Sequence, residues 1–176
     1  MTISGRMTVI DADITALDTD AIVNAANERL APGGGVCGAI HRAAGPKLAD
    51  DCAAVVRESG PCPTGAARIT PGHALRARHV IHAVGPVWHG GKAGEDELLA
   101  GAYLTSLMLA RDHGLTSIAF PAISTGIFGF PADRAARIAV GTVAAFLAEN
   151  ALPKTVVFCC FGQESLDLHN AALAAL

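Results

Sequence analysis

Residues 24–45 read NAANERLAPGGGVCGAIHRAAG, and this stretch from Asn24 to Gly45 decides how the chain is understood. It follows Ala21-Ile22-Val23, an apolar run too short for a helix and suited to a strand. Asn24 and Asn27 bracket two alanines. Gly33, Gly34 and Gly35 follow, then Val36, Cys37 and Gly38. Successive glycines remove side chains, so main-chain N–H groups can approach a ligand directly. The spacing predicts a helix over 38–44, whose unpaired first N–H groups and positive dipole end face the same point. Such an arrangement binds anions, and phosphate is the commonest of them.

Outward from this stretch, strand and helix patterns alternate. Strands are expected at Met7–Ile10, Ala21–Asn24, Ala67–Thr70, His79–Val84, Ser117–Phe120 and Thr155–Cys160. Further helices are expected at Pro46–Glu58, Glu95–His113, Ala132–Glu149 and Ser165–Leu176, the last with Ser165 as cap. Leu48, Cys52, Val55 and Val56 recur at a core-facing spacing, as do Leu99, Tyr103, Leu107 and Ala110. The order predicts an α/β fold with a mixed, mostly parallel sheet and some antiparallel pairing between Ala67 and Val84. No linker, repeat or low-complexity segment divides the chain, so residues 1–176 are expected to form one domain.

A second glycine-containing loop, Ile123 to Pro131, also lies between a strand and a helix. Two such loops at strand carboxyl ends stand where open α/β sheets bind ligands. A diphosphate bridging them is the natural occupant. Ser124 and Thr125 add hydroxyl donors, and Phe128, Phe130 and Phe161 offer flat faces to a ribose or a base. Asp13, after the first strand, either caps a turn or accepts a hydrogen bond from a ligand.

Several classes are excluded. The net charge of −3 and the lack of any Lys/Arg cluster argue against a nucleic-acid binder. The uncharged run from Leu115 to Ala132 is broken by Pro121, Gly126, Gly129 and Pro131, so no membrane span is expected. No signal peptide is visible in MTISGRMTVIDAD, and the five cysteines show no CxxC spacing. Free thiols in a reducing compartment, the cytoplasm, are expected. The seven histidines show no metal-ligand spacing, so no metal and no cofactor are expected. Gly33-x-Gly35-x-x-Gly38 formally fits the dinucleotide fingerprint, but Asn24 and Gly33 stand too far apart for its tight turn. A nicotinamide dehydrogenase would also need an acidic ribose partner after the next strand, and none is present. Cys37 and His41, four residues apart at a helix start, leave a cysteine hydrolase open as a minor alternative.

Taken together, the motifs resemble the macrodomain family in its bacterial O-acetyl-ADP-ribose deacetylase branch. The resemblance rests on Asp13-Ile14-Thr15, Ile22–Asn27, Gly33–His41, Cys62–Gly65, Val84–Trp88 and Phe120–Pro131. It implies a three-layer α/β/α sandwich and an ADP-ribose ligand. Asp13 and the Ile14 backbone would hold the adenine, with Phe161 beside it. Gly33, Gly34, Gly35 and Val36, together with Ser124, Thr125, Gly126, Ile127 and Phe128, would hold the diphosphate and distal ribose. Asn27 would bind that ribose next to the scissile bond. The implied activity is hydrolysis of O-acetyl-ADP-ribose or of mono-ADP-ribosylated protein side chains. Two departures stand out: Ala12 replaces a usual Gly, and Cys37 replaces a usual Asp that activates water. A thiol accepts a proton less well than a carboxylate. Some viral macrodomains similar to this chain carry Cys there and hydrolyse with help from the ligand's diphosphate. The alternative is a non-catalytic ADP-ribose reader.

Overall fold

The computed structural model describes residues 1–176. Six strands, β1 (Met7–Asp11), β2 (Ala21–Ala25), β3 (Ala67–Pro71), β4 (His79–Ala83), β5 (Ser117–Phe120) and β6 (Thr155–Cys160), form one sheet in the order β1-β6-β5-β2-β4-β3. Every neighbouring pair is parallel except β3–β4, which is antiparallel. Its connection turns at Gly72, whose N–H donates to Arg78 O, with His73 at φ 50°. The central strands read as near-continuous apolar runs because helices cover both faces.

Five helices supply that cover: α1 (Gly35–Ala44), α2 (Lys47–Ser59), α3 (Glu95–Asp112), α4 (Ala132–Glu149) and α5 (Gln163–Ala174). On one face, Leu99, Tyr103 and Leu107 of α3 and Val143 and Phe146 of α4 pack on Val23, Ile81, Ile118 and Phe158. On the other, Ile40 of α1 and Leu48 and Cys52 of α2 pack on Ile22, Val80 and Ala119. The alternation of strand side chains thus divides the core into two layers, and the expected three-layer sandwich is present.

Boundaries shift at three helices. The first begins at Gly35 rather than Gly38, because Gly38 N–H already bonds Gly34 O. The second begins at Lys47, with Pro46 as its cap residue rather than its first helical residue. The terminal helix begins at Gln163 behind Gly162, so Ser165 lies within the first turn and caps nothing. Its carbonyl instead accepts from the His169 ring nitrogen Nδ1. No helix of the structure is long and apolar enough to cross a membrane.

Candidate functional site

The site lies at the carboxyl edge of the sheet. β2 and β5 are adjacent and parallel, with Ile22 opposite Ala119, so the connections that follow them leave the edge side by side. The first connection, 26–34, is braced by Asn27. Its Nδ2 donates to Ala31 O at 2.8 Å and its Oδ1 accepts from Ala31 N–H at 3.1 Å. The loop then lies against α1 so closely that a Cβ on Gly38 would sit 2.5 Å from Gly33 O. Gly34 caps α1 without a side chain. Consequently the N–H groups of Gly33, Gly34, Gly35, Val36 and Cys37 donate to nothing in the protein. Gly33, Gly34 and Gly35 are exposed, which is what a main-chain anion site requires.

The second connection, 121–131, crosses the end of β2. Ser124, which follows β5, packs on Gly85, which follows β4 on the far side of β2. A Cβ on Gly85 would lie 2.2 Å from Ser124 Oγ. Farther along, Trp88 N–H donates to Phe128 O at 2.8 Å. Ser124 adopts φ 67°, a left-handed conformation uncommon for a non-glycine residue. This turn leaves the N–H groups of Thr125, Gly126, Ile127 and Phe128 without protein partners. Two sets of free amides therefore stand on the loops that leave the adjacent ends of β2 and β5.

The side-chain hydroxyls do not join them, contrary to expectation. Thr125 Oγ1 donates to Ala122 O within the loop, and Ser124 Oγ is buried beneath it without a partner. Phe130 is also not a ligand face. It is buried against Trp88, ring centroids 4.7 Å apart, and fastens the loop to the core. Phe128 is half-buried, while Ile127 and Phe161 are fully open to solvent.

At the other end of the edge, β1 pairs with β6, Asp11 opposite Cys160. Asp13 and Phe161 follow directly, and Gly162 N–H donates to Asp11 Oδ1. Asp13 caps a short 3-10 turn, Ile14–Ala16, with one oxygen: Oδ1 accepts from the Thr15 hydroxyl and N–H. Those two bonds hold its carboxyl below the usual range. Its other oxygen and the Ile14 N–H carry no protein bond. Both readings of Asp13 are thus geometrically compatible.

Beneath the glycine loop lies a buried polar cluster. Cys37 Sγ receives Asn24 Nδ2 at 3.7 Å and donates to Ala31 O at 3.7 Å. Asn24 stands opposite His82 in the β2–β4 register, and its Nδ2 lies 3.2 Å from His82 Nδ1. His82 Nε2 meets Thr70 Oγ1 at 2.9 Å. Burial pushes His82 down to about 3 and the neighbouring Cys52 thiol up to about 12, so both are neutral. His41, one turn beyond Cys37, makes no bond to it, and its Nε2 has no partner. The nucleophile–base contact of a cysteine hydrolase is not assembled. His82 and Thr70 escaped sequence reasoning. The available signal is that His82 stands two residues after Val80, and Asn24 two after Ile22, each a polar residue on an otherwise apolar strand face. No group of three or more His, Cys, Asp or Glu gathers where it could hold a metal ion.

Comparison with known proteins places this geometry in context. The Macro domain family model matches residues 23–139. A Macro domain-containing protein of Chlorobaculum tepidum is 58% identical over 166 residues, covering 94% of each chain. The O-acetyl-ADP-ribose deacetylase of Escherichia coli K12 is 53% identical over 168 residues, covering 96% of this chain and 95% of its own. Among solved structures, the Oceanobacillus iheyensis macrodomain with ADP superposes with a TM-score of 0.91 at 40% identity, covering 95% of this chain and 89% of that one. The Trypanosoma brucei macrodomain in complex with ADP-ribose superposes with a TM-score of 0.87 at 40% identity, covering 96% and 69%.

Proposed function

The chain belongs to the macrodomain family, and from that premise we propose that it is an ADP-ribose-binding hydrolase. Its substrates are O-acetyl-ADP-ribose, mono-ADP-ribosylated protein side chains, or both. The observation that carries this reading is that two sets of unpaired main-chain amides, Gly33–Cys37 and Thr125–Phe128, lie on the loops that follow the adjacent parallel strands β2 and β5. They offer convergent donors to paired phosphates, with no side chain in the way at Gly34 or Gly126.

The rest of the ligand follows from the strand order. Three strand spacings, roughly 14 Å, separate β1 from β2. The adenine lies on Phe161 with its amino group at the free Asp13 oxygen. The diphosphate spans the two loops over β5 and β2, and the distal ribose packs on Phe128. Asn27 retains one N–H and one acceptor lone pair beyond its Ala31 bonds and directs them to that ribose. Beside Asn27 and Cys37, water adds to the ester carbon and expels the ribose oxygen, or adds to the anomeric carbon and expels the protein side-chain oxygen, and the departing oxygen leaves protonated. The water's proton passes to the ligand's diphosphate, because a thiol that donates to Ala31 O is a poor acceptor. No metal or cofactor enters the scheme. The five free cysteines support a cytoplasmic setting, and residues 1–176 act as one unit.

A reader module is the second reading, favoured by one observation: the Cys37 sulfur is engaged by Asn24 and Ala31 and supplies no carboxylate. Incubation with O-acetyl-ADP-ribose and with a mono-ADP-ribosylated protein, side by side, separates the two. Release of acetate or of ADP-ribose supports the hydrolase. Both substrates persisting, with ADP-ribose still bound, supports the reader.

A further inference from the structure

Thr70, His82, Asn24 and Cys37 form an unbroken polar chain that runs from β3 to the glycine loop, and one proton arrangement satisfies it with the Asn24 amide as it stands. Thr70 Oγ1 donates to Pro71 O at 3.2 Å. Its lone pairs therefore accept from His82 Nε2–H. That leaves His82 Nδ1 bare, and a bare ring nitrogen accepts from the Asn24 amide N–H. The second N–H of the same amide reaches Cys37 Sγ, and the thiol donates to Ala31 O. Ala31 is in turn held by both ends of the Asn27 side chain. Asn24 Oδ1, in a residue only 1% exposed, is left as a free acceptor.

The opposite tautomer breaks this order. With the proton on Nδ1, N–H would face N–H unless the Asn24 amide turned over. Cys37 would then meet an oxygen acceptor, and its bond to Ala31 O would compete with a new one.

We propose that His82 is a positioning residue for the reaction: its neutral Nε2–H tautomer sets which way the Asn24 amide faces, and through Cys37 and Ala31 it holds Asn27 in register with the distal ribose. The inference rests on the hydrolase reading. His82 itself is fully buried and acts only through its neighbours. Its other neighbours are Cys52, whose sulfur lies 3.6 Å from Nε2, and the partly buried His41. Both are neutral around pH 7, so no charge competes with Thr70 for the ring proton.

The test compares two amide replacements. His82→Asn keeps an acceptor where Nδ1 stands but loses contact with Thr70. His82→Gln keeps a partner for Thr70 but offers Asn24 nothing. With O-acetyl-ADP-ribose as substrate, His82→Gln is expected to lower kcat roughly tenfold to a hundredfold, the scale of a small misplacement. KM and ADP-ribose affinity stay within about twofold, and His82→Asn recovers most of the rate. Should His82→Gln fail to fold, Thr70→Val replaces it, with the same loss of kcat and recovery in Thr70→Ser. In the wild type, ring 15N shifts are expected to show Nε2 protonated and Nδ1 bare. Equal rates for His82→Gln and His82→Asn, or a proton on Nδ1, overturn the inference. A wild type that turns over neither substrate overturns the hydrolase reading and this inference together, whereas an active wild type with an equally active His82→Gln overturns the inference alone.

Discussion

The amide nitrogen of Asn24 lies 3.7 Å from the sulfur of Cys37, tying the end of β2 to the first turn of α1. This contact fixes the floor beneath the glycine loop. It also decides what a substitution at Cys37 does.

Cys37→Asp places a carboxylate where it accepts from Asn24 and stands ready to take a proton from water. Turnover of O-acetyl-ADP-ribose is expected to rise roughly a hundredfold, the lower end of general-base contributions. Because that carboxylate would be buried beside Ala31 O, stability is expected to fall by about 1–3 kcal/mol. Cys37→Ala removes the link from Asn24 to Ala31 and is expected to lose turnover roughly tenfold to a hundredfold, as His82→Gln does. Steady-state kinetics and denaturant melts read both, and complete loss in Cys37→Ala would make the thiol a direct participant.

The glycines divide into those the fold needs and those the ligand needs. A Cβ at Gly38 collides with Gly33 O, so Gly38→Ala is expected to displace the loop and cost about 1–3 kcal/mol of stability. A Cβ at Gly34 or Gly126 meets nothing within 4 Å. Gly34→Ala and Gly126→Ala should therefore melt like the wild type yet bind ADP-ribose more weakly. Thermal melts paired with calorimetry make the distinction. Unchanged affinity in both would remove these turns from the site.

Phe161 is 97% exposed and contributes little to the core. Phe161→Ala is expected to shift stability by less than about 0.5 kcal/mol. Loss of one aromatic stacking partner should cost about 1–2 kcal/mol of ADP-ribose binding, roughly tenfold in affinity. Ribose 5-phosphate, which has no base, should bind the two proteins alike.

Acid sensitivity follows from groups that bind protons differently in the two states. The Glu95 carboxylate accepts from His89, Gly91 and Ala93 N–H, and these bonds lower it to about 2. Unfolded, it protonates near 4.5. Its contribution is complete above that value and is lost as pH falls towards 2. His82 adds a second window: the unfolded ring protonates near 6.5 and the buried one near 3, so stability also drains between those values. Denaturant unfolding from pH 7 to pH 3 should show a continuous decline. Glu95→Gln should lower stability at pH 7 and flatten the slope below pH 4.5.

Much of this was legible in the sequence, for physical reasons. Ser117–Phe120, Ala132–Glu149 and Thr155–Cys160 match their predicted bounds because apolar period and flanking Gly or Pro agree there. The two glycine-containing loops stand out in the sequence because glycines between a strand and a helix leave main-chain N–H groups bare, as the unpaired amides of Gly33, Gly34 and Gly126 are. α1 starts three residues earlier than the spacing predicts because a glycine cap carries no side-chain signature. The orientation of the Ser124 and Thr125 hydroxyls is not legible in sequence because composition does not tell which way a turn points its side chains. His82 and Thr70 stayed hidden because their roles depend on the register between β2, β4 and β3, which local sequence does not encode.

Calorimetric titration of ADP-ribose beside adenosine, which lacks both phosphates, tests the convergence of the two turns most directly. Saturable one-to-one heat with ADP-ribose and at least about a hundredfold weaker binding of adenosine, some 2.7 kcal/mol, is the predicted result. No heat with ADP-ribose, or equal affinity for adenosine, would contradict it.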